Sequence, residues 1–411
     1  MNLATYLIFD ALDNDYEVAV FVSNDSDLAR AGSEIEHLND GTPADLSLAL
    51  GPDAAAAPGS RCILPLLPLP HKRENTLSRR SLMAQIVLGI GSTHGSPSTS
   101  NPAGWRQGGE FDRRRPDLWF RGKPYTYPEL VEERASEHLQ RELDEEKQNA
   151  RSLACQAAIA SLAETLAEVA PDRCIILGDD QHESFLDDIM PAFCVFNGET
   201  VDDPGGDEQG DPLRRALVNA PAAGTSQPTD AGFGTHIIES LVSDGFDVAR
   251  SSVLPKGRRQ GGIGHAFYFA YRRLMNNGAI PHVPIFVNTY YPPNAPTMKR
   301  CYQFGKALRS AVETWERDQR VAIIASGGMS HFVIEEDLDL QVLDGLREGG
   351  EKQLTAIPDN RFRSGTSEIR NWIALAGAME ETGLRMELLA YEPCYRSEAG
   401  TGCGGAYAHW R

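Results

Sequence analysis

Histidines beside small-residue turns are the first feature of this 411-residue chain that could do chemistry. Three strand-like apolar runs end in Gly91-Ser92-Thr93-His94, in Gly178-Asp179-Asp180-Gln181-His182-Glu183 and in Gly327-Gly328-Met329-Ser330-His331. A fourth histidine, His265, follows the glycine-rich Gly261-Gly262-Ile263-Gly264. Imidazole titrates near neutrality and ligates metals, so histidines grouped with carboxylates suit metal binding, hydrolysis or proton transfer. Any one of them alone reads as a loop histidine bonded to a carbonyl; it is the joint pattern that carries weight. Residue types and spacing do not choose among the three chemistries. Asp179, Asp180 and Glu183 offer either oxygen ligands for a divalent cation or strand-end carboxylates that orient a histidine, and the second is the better fit. His236, at a helix start, reads as structural. Arg258, Arg259, Lys299 and Arg300 suit a substrate carboxylate, although solvated faces are the commoner place for such residues.

Positioning these groups requires strands whose ends share an edge. Ile86–Ile90, 173–178, 192–196, 247–253, 283–288 and 320–326 read as short buried strands. Helical periodicity runs over 129–169, 234–244, 265–274, 298–317 and 367–382, and 200–230 reads as an exposed loop rich in Gly, Pro and Asp. Helices interleaved with apolar strands predict an α/β fold with mixed sheet flanked by helices, where ligands collect beyond the carboxyl ends of strands.

Composition narrows the class. A net charge of −19 argues against nucleic-acid binding, which needs clustered cations. No run approaches the roughly 20 apolar residues of a membrane helix, and the first residues lack a secretory pattern. Seven scattered cysteines with no CxxC pair fit reduced thiols in a cytoplasmic protein.

Residues 83–411 resemble the class III extradiol ring-cleavage dioxygenases, the LigB-like family of the protocatechuate 4,5-dioxygenase β subunit. The resemblance rests on matches in order: Ser-Thr-His94, Asp-Asp-Gln-His-Glu-Ser-Phe185, Gly-Thr-His236, Gly-His265, Val-Asn-Thr-Tyr290-Tyr291-Pro-Pro293 leading to Lys-Arg-Cys301, Gly-Gly-Met-Ser-His331 and Glu368-Ile-Arg-Asn-Trp372. It implies a subunit-B-like core holding mononuclear Fe(II) by two histidines and one glutamate, which opens a catechol-type ring with O2. His94 and Glu368 match two of the ligands. His331 matches the acid/base histidine, and His265 a histidine that stabilises oxygen or the substrate oxyanion. The family places its second ligand histidine four residues before the phenylalanine, where this chain has Gln181; His182 lies one residue later. Only one of the two is expected to ligate, with a slight preference for His182. Tyr290 and Tyr291 suit either the lining of an aromatic pocket or a packed pair. A separate small helical subunit, or the long 129–169 stretch in its place, and an oligomeric assembly are further expectations. Two alternatives stay open: a divergent member using another divalent metal for hydrolase or lyase chemistry, and a non-catalytic partner subunit.

Residues 1–82 form a separate expectation, a partial α/β appendage. Asn2–Ala31 resembles part of an NYN/PIN-like nuclease domain, with Asp25 and Asp27 at its acidic positions. No earlier strand brings the first acidic residue of that family, so 1–82 reads as a non-functional fragment, with Met83 as the natural start of the 83–411 domain.

Overall fold

The computed structural model describes residues 83–411 except 206–218, 222, 256–261, 279 and 349. The expectations for residues 1–82, including Asp25 and Asp27, and for Arg258 and Arg259 lie outside the described residues.

Along the chain come β1 (Gln85–Ser92), α1 (Pro102–Asp112), the hairpin β2 (Leu118–Phe120) and β3 (Lys123–Tyr125), α2 (Tyr127–Glu133), α3 (Glu145–Val169) and β4 (Arg173–Asp179). There follow β5 (Phe193–Phe196), β6 (Thr200–Asp203), β7 (Thr225–Pro228), α4 (Ala231–Ser243), β8 (Ala249–Ser251), α5 (His265–Phe269) and β9 (His282–Val287). The C-terminal part adds α6 (Met298–Glu313), β10 (Arg320–Ser326), β11 (His331–Val333), α7 (Glu336–Glu348), α8 (Ile369–Met379), β12 (Met386–Tyr395) and β13 (Thr401–Trp410). A nine-stranded mixed sheet has the order β11-β13-β1-β10-β4-β9-β5-β8, with β12 also paired to β13.

Strict alternation along the central strands builds two cores. Val321, Ile323 and Ala325 of β10, with Ile175 and Leu177 of β4, face one apolar layer. Ala322 and Ile324, with Cys174 and Ile176, face the other. Both faces are buried because helices cover each: α4, α6 and α8 pack on the first, and α3 and α5 on the second. Cys155, Ala158, Ile159, Leu162, Leu166 and Val169 make the buried stripe of α3 at spacings of three and four.

Two expectations change, and one strand pair was not expected. The helical stretch 129–169 is two helices. Thr126 and Glu129 form a capping box that starts α2, and Asp144 accepts from the Lys147 amide to start α3. Between them lie two 3-10 turns, joined at His138 with φ 54°. The segment 200–230 is not all loop, since β6 and β7 pair antiparallel and Arg272 closes a buried ion pair on Asp203. At the C-terminus β12 and β13 form a long antiparallel pair that apolar periodicity does not reveal, because β13 reads Thr-Gly-Cys-Gly-Gly-Ala-Tyr-Ala-His-Trp. Its glycines serve close packing: a Cβ at Gly402 would overlap the Cys394 carbonyl, and one at Gly404 the Asp339 carboxylate. Among the described residues no helix is long and apolar enough to cross a membrane, and the six described cysteines are free and buried.

His282 of β9 is a buried imidazole with no carboxylate partner among the described residues; Nε2 lies 2.8 Å from the Tyr271 hydroxyl and Nδ1 3.1 Å from the Ile280 carbonyl. Burial pushes it from 6.5 down to about 4. Between these values the unfolded chain binds the proton and the native state does not, so native stability rises with pH from about 4 to 6.5 and is lost on acidification. A His282→Gln variant is expected to lose that part of the slope, worth about 3 kcal/mol, when urea midpoints of the two proteins are compared across this window.

Candidate metal centre and active site

The parallel strands β1, β10, β4 and β9 are neighbours, so their carboxyl ends meet at one edge. Ser92 stands beside Ser326, and Asp179 beside Val287. The motifs ending in His94, in Asp179–Glu183, in Tyr290-Tyr291 and in Gly327–His331 all leave the sheet there. Glu368 arrives at the start of α8, a helix buried along its whole length. The Asn371 amide donates to the Ser326 carbonyl and the Trp372 indole to the Gly327 carbonyl, fixing that start against the end of β10.

His94, Asp179, His265 and Glu368 each bring one donor atom into a cluster in which all lie within 4.8 Å of one another. His94 Nε2 is 3.3 Å from Glu368 Oε2 and 3.9 Å from Asp179 Oδ1. Its Nδ1 is 3.0 Å from Ser326 Oγ, which orients the ring. Asp179 and Glu368 are 0% and 1% exposed. Asp179 Oδ1 is buried without a hydrogen-bond partner. Burial and the nearby Glu368 charge push the Asp179 carboxyl up to about 6.

Glu368 is well supplied with donors. The Gly328 amide donates to Oε2 at 2.8 Å, and Gln181 Nε2 and His331 Nε2 approach Oε1 at 2.9 and 3.0 Å. Burial opposes its charge, but His331 and His94 hold it well below the usual carboxylate range. The second ring nitrogen of His331 lies 2.8 Å from the Met329 carbonyl. With an acceptor at each nitrogen the protonated imidazole is favoured against burial, and its pKa is raised, chiefly by Glu368.

Gln181 and His182 part company. The Gln181 amide nitrogen donates to Asp179 Oδ2 at 3.1 Å and to Glu368 Oε1 at 2.9 Å, bridging the two carboxylates. Acceptors on both sides require the NH2 to face them. His182 takes a left-handed backbone, φ 60°, and its ring leaves the cluster to stack on Tyr291, centres 3.8 Å apart and planes within 5°. Its Nε2 is 3.6 Å from Asp187, a residue exposed to solvent.

The three acidic side chains of this segment divide the work. Asp179 faces the cluster. Asp180 accepts from the amides of Glu183, Ser184 and Phe185 and so folds the turn. Glu183 accepts from the His265 amide and lies 2.9 Å from His265 Nδ1, which turns the ring edge-on to His94, centres 4.6 Å apart. Burial works against a charge on His265, but Glu183 outweighs it and raises the imidazole to about 10. Gly264 is required here, because a Cβ would overlap the Glu183 carboxylate. Gly365 likewise lets the chain pass against the His331 ring.

Of the other candidates, Tyr290 is half-buried with its hydroxyl 3.5 Å from Ser364 Oγ. His236 lies apart, 2.8 Å from the Ala311 carbonyl and against Trp315. Lys299 is exposed, and Arg300 covers the Phe246 ring and reaches the Gly245 carbonyl. Ser326, the Gly328 amide and Met329 are contributors that residue-type reasoning misses, since a lone serine or a backbone group has no pattern. Asp339 is another: buried in α7, it accepts from the amide and hydroxyl of Ser330 and from Tyr391, fixing the turn that carries His331.

Comparison with known proteins adds the family. Gallate dioxygenase of Pseudomonas putida is 29% identical over 177 residues, 40% of this chain and 49% of that protein. The 2,3-dihydroxyphenylpropionate/2,3-dihydroxicinnamic acid 1,2-dioxygenase of Photorhabdus laumondii is 31% identical over 171 residues, 41% and 46% of the two chains. Its namesake from Klebsiella pneumoniae is 27% identical over 209 residues, 50% and 58%. The chain thus spans about half the length of the curated relatives it matches. A model of the catalytic LigB subunit of aromatic ring-opening dioxygenase matches residues 139–402, which include Asp179, His265, His331 and Glu368, with His94 preceding the match. With more than half of its length matched, the chain belongs to the LigB family of aromatic ring-opening dioxygenases.

Proposed function

We propose that this protein is a non-haem Fe(II) extradiol dioxygenase of the cytoplasm that opens the ring of a catechol-type substrate with O2. The observation that carries this reading is the buried cluster of His94, Asp179, His265 and Glu368 at the carboxyl edge of the sheet. The donors fit a divalent first-row cation: imidazole and carboxylate atoms within 4.8 Å of one another, and a buried Asp179 oxygen lacking any hydrogen-bond partner. In our assignment His94, Asp179 and Glu368 hold the ion, while Gln181, at the position where the family has a histidine, fixes the two carboxylates in place. His182 stays outside, stacked on Tyr291. Bound iron supplies a common anchor for the diol oxygens and the electron exchange with O2.

The chain's own groups supply the proton chemistry and the orientation. His331, with Nε2 beside Glu368, is the acid/base residue: its neutral ring takes one proton from the diol, and the imidazolium so formed returns that proton to the ring-opened product. His265, charged against Glu183, presents a cationic edge on the open side of the cluster, where it stabilises a developing oxyanion. Tyr290 and Tyr291 form an aromatic wall, their ring centres 5.0 Å apart.

Two experiments test the assignment. In calorimetric titration with a divalent metal under argon, His94→Ala and Glu368→Ala are expected to abolish tight binding, and Asp179→Asn to weaken it by at least about tenfold. His182→Ala is expected to bind as the unmodified protein does; loss of binding there would move the site to His182. After anaerobic loading with Fe(II), oxygen uptake is expected on at least one member of a catechol panel, with a yellow ring-opened product. His331→Gln is expected to lower kcat by about 10²- to 10⁴-fold at unchanged metal content. A purified protein that retains zinc and takes up no oxygen on any diol would favour hydrolase or lyase chemistry in the same cluster.

A further inference from the structure

We propose that Gln181 sets the metal preference of the cluster: it clamps Asp179 beside Glu368 and so builds a site of one imidazole and two carboxylates, which narrows the usual advantage of Zn(II) over Fe(II) and Mn(II). The inference rests on the assignment above, in which His94, Asp179 and Glu368 hold the ion. It adds what residue 181 does to the choice of that ion.

The clamp divides the four carboxylate oxygens into two pairs. The Gln181 NH2 group meets Asp179 Oδ2 at 3.1 Å and Glu368 Oε1 at 2.9 Å. Both of its hydrogens are thereby used, one on each carboxylate. The other two oxygens, Asp179 Oδ1 and Glu368 Oε2, are the ones that approach His94 Nε2, at 3.9 and 3.3 Å. Asp179 Oδ1 is buried with no hydrogen-bond partner among the described residues. Glu368 Oε2 accepts from the Gly328 amide, which leaves it a second lone pair. Ser326 Oγ takes His94 Nδ1 at 3.0 Å, so Nε2 is the nitrogen left to face the carboxylates. Three donor atoms from three parts of the chain therefore face one another, and the oxygens behind two of them are tied by a single amide.

An amide suits position 181 for a physical reason. Two carboxylates at 0% and 1% exposure repel each other with little water to screen them. A histidine there would carry at most one hydrogen on each ring nitrogen and could not bridge both acids from one atom, and a glutamate would add a third negative charge. With the amide in place the two acids stay side by side. A divalent ion held by both and by a neutral imidazole is then fully neutralised, whereas two imidazoles and one carboxylate would leave one positive charge. Ligand type acts on the metal as well. Affinity rises from Mn(II) through Fe(II) towards the late first-row ions, with Zn(II) above both; imidazole suits the later ions, and carboxylate suits Mn(II). Exchanging an imidazole for an acid compresses that order and protects the site from capture by Zn(II).

The test is competition of Mn(II) against Zn(II) for the metal-free, full-length protein, followed by the electron paramagnetic resonance signal of free Mn(II), beside oxygen uptake by the Fe(II)-loaded enzyme on a catechol panel. Gln181→Met removes both donors at similar volume and is expected to weaken both metals by about 10- to 100-fold without changing their ratio. Gln181→His is expected to raise the ratio of Zn(II) to Mn(II) affinity at least about tenfold. Urea midpoints establish that each variant is folded. Should Gln181→His not fold, Asp179→Asn decides the preference: it is expected to cost Mn(II) more affinity than Zn(II), and an equal loss overturns the proposal. Gln181→Met binding both metals as the unmodified protein does, or Gln181→His keeping the unmodified ratio, overturns it too. If the unmodified protein holds neither metal, the proposal and the functional reading fall together. The expected metal shifts without oxygen uptake on any diol would keep the role of Gln181 and overturn the ring-cleavage reading.

Discussion

A carboxylate taken out of water loses its hydration and must recover it from fixed donors or countercharge, or else take up a proton. The site places two such groups, Asp179 and Glu368, almost without exposure and joined by one amide. They settle the problem differently. Glu368 has an amide, an imidazole and the Gln181 side chain directed at its two oxygens, with His94 close by, and stays ionised. Among the described residues Asp179 has only the Gln181 donor and keeps an oxygen bare, and its affinity for a proton is raised. That asymmetry gives the cluster its character as a place for a cation. The fold must hold two negative groups side by side, and the rest of the site follows from how it does so.

The sheet makes this possible. In a parallel arrangement, neighbouring strands end at the same edge, so residues more than a hundred positions apart are adjacent once register is fixed. β1, β10 and β4 are consecutive in the sheet, and their C-terminal residues Ser92, Ser326 and Asp179 share one rim. Glu368 needs a separate device. The fully buried α8 carries it, and the Asn371 and Trp372 side chains tie that helix to the end of β10. A rigid strand rim and a helix locked to it locate donor atoms better than free loops would.

Much of this was legible in the chain because apolar alternation and strand-end polarity are local signals. The runs at 86–90, 173–178 and 320–326 have strand periodicity, and the motifs after them contain His94, Asp179 and His331, all of which the fold brings together. Less legible was what depends on side-chain direction. His182 and Gln181 are adjacent, and no pattern states which faces the centre; the left-handed backbone at His182 decides it. The division of 129–169 into two helices depended on Thr126–Glu129 and Asp144 as caps, short-range features weaker than the periodicity that spans them. The glycine-rich strand β13 was hidden for the opposite reason: its small residues answer to atoms brought from far away, at Cys394 and Asp339. Ser326 carried no sequence signal as a contributor, since its partner His94 lies in another strand's loop.

The layer behind the cluster shows why the histidines around it need buried acids set back from it. An imidazole on a loop is free to turn, and its two nitrogens are chemically distinct only if one is assigned a partner. Glu183 assigns Nδ1 of His265, and the Met329 carbonyl assigns Nδ1 of His331. Met329 and His331 are themselves held through Ser330, whose amide and hydroxyl both donate to Asp339. Burial pushes the Asp339 carboxyl up to about 7, even with those donors and Tyr391 stabilising its charged form. A group that costly to bury has a structural return: it ties α7, β12 and the His331 turn at one point. The orientation of His331 is therefore set by packing between elements, not by its own loop. A cation and an acid can be held in fixed relation only where each donor is anchored in this way to something larger than its own turn.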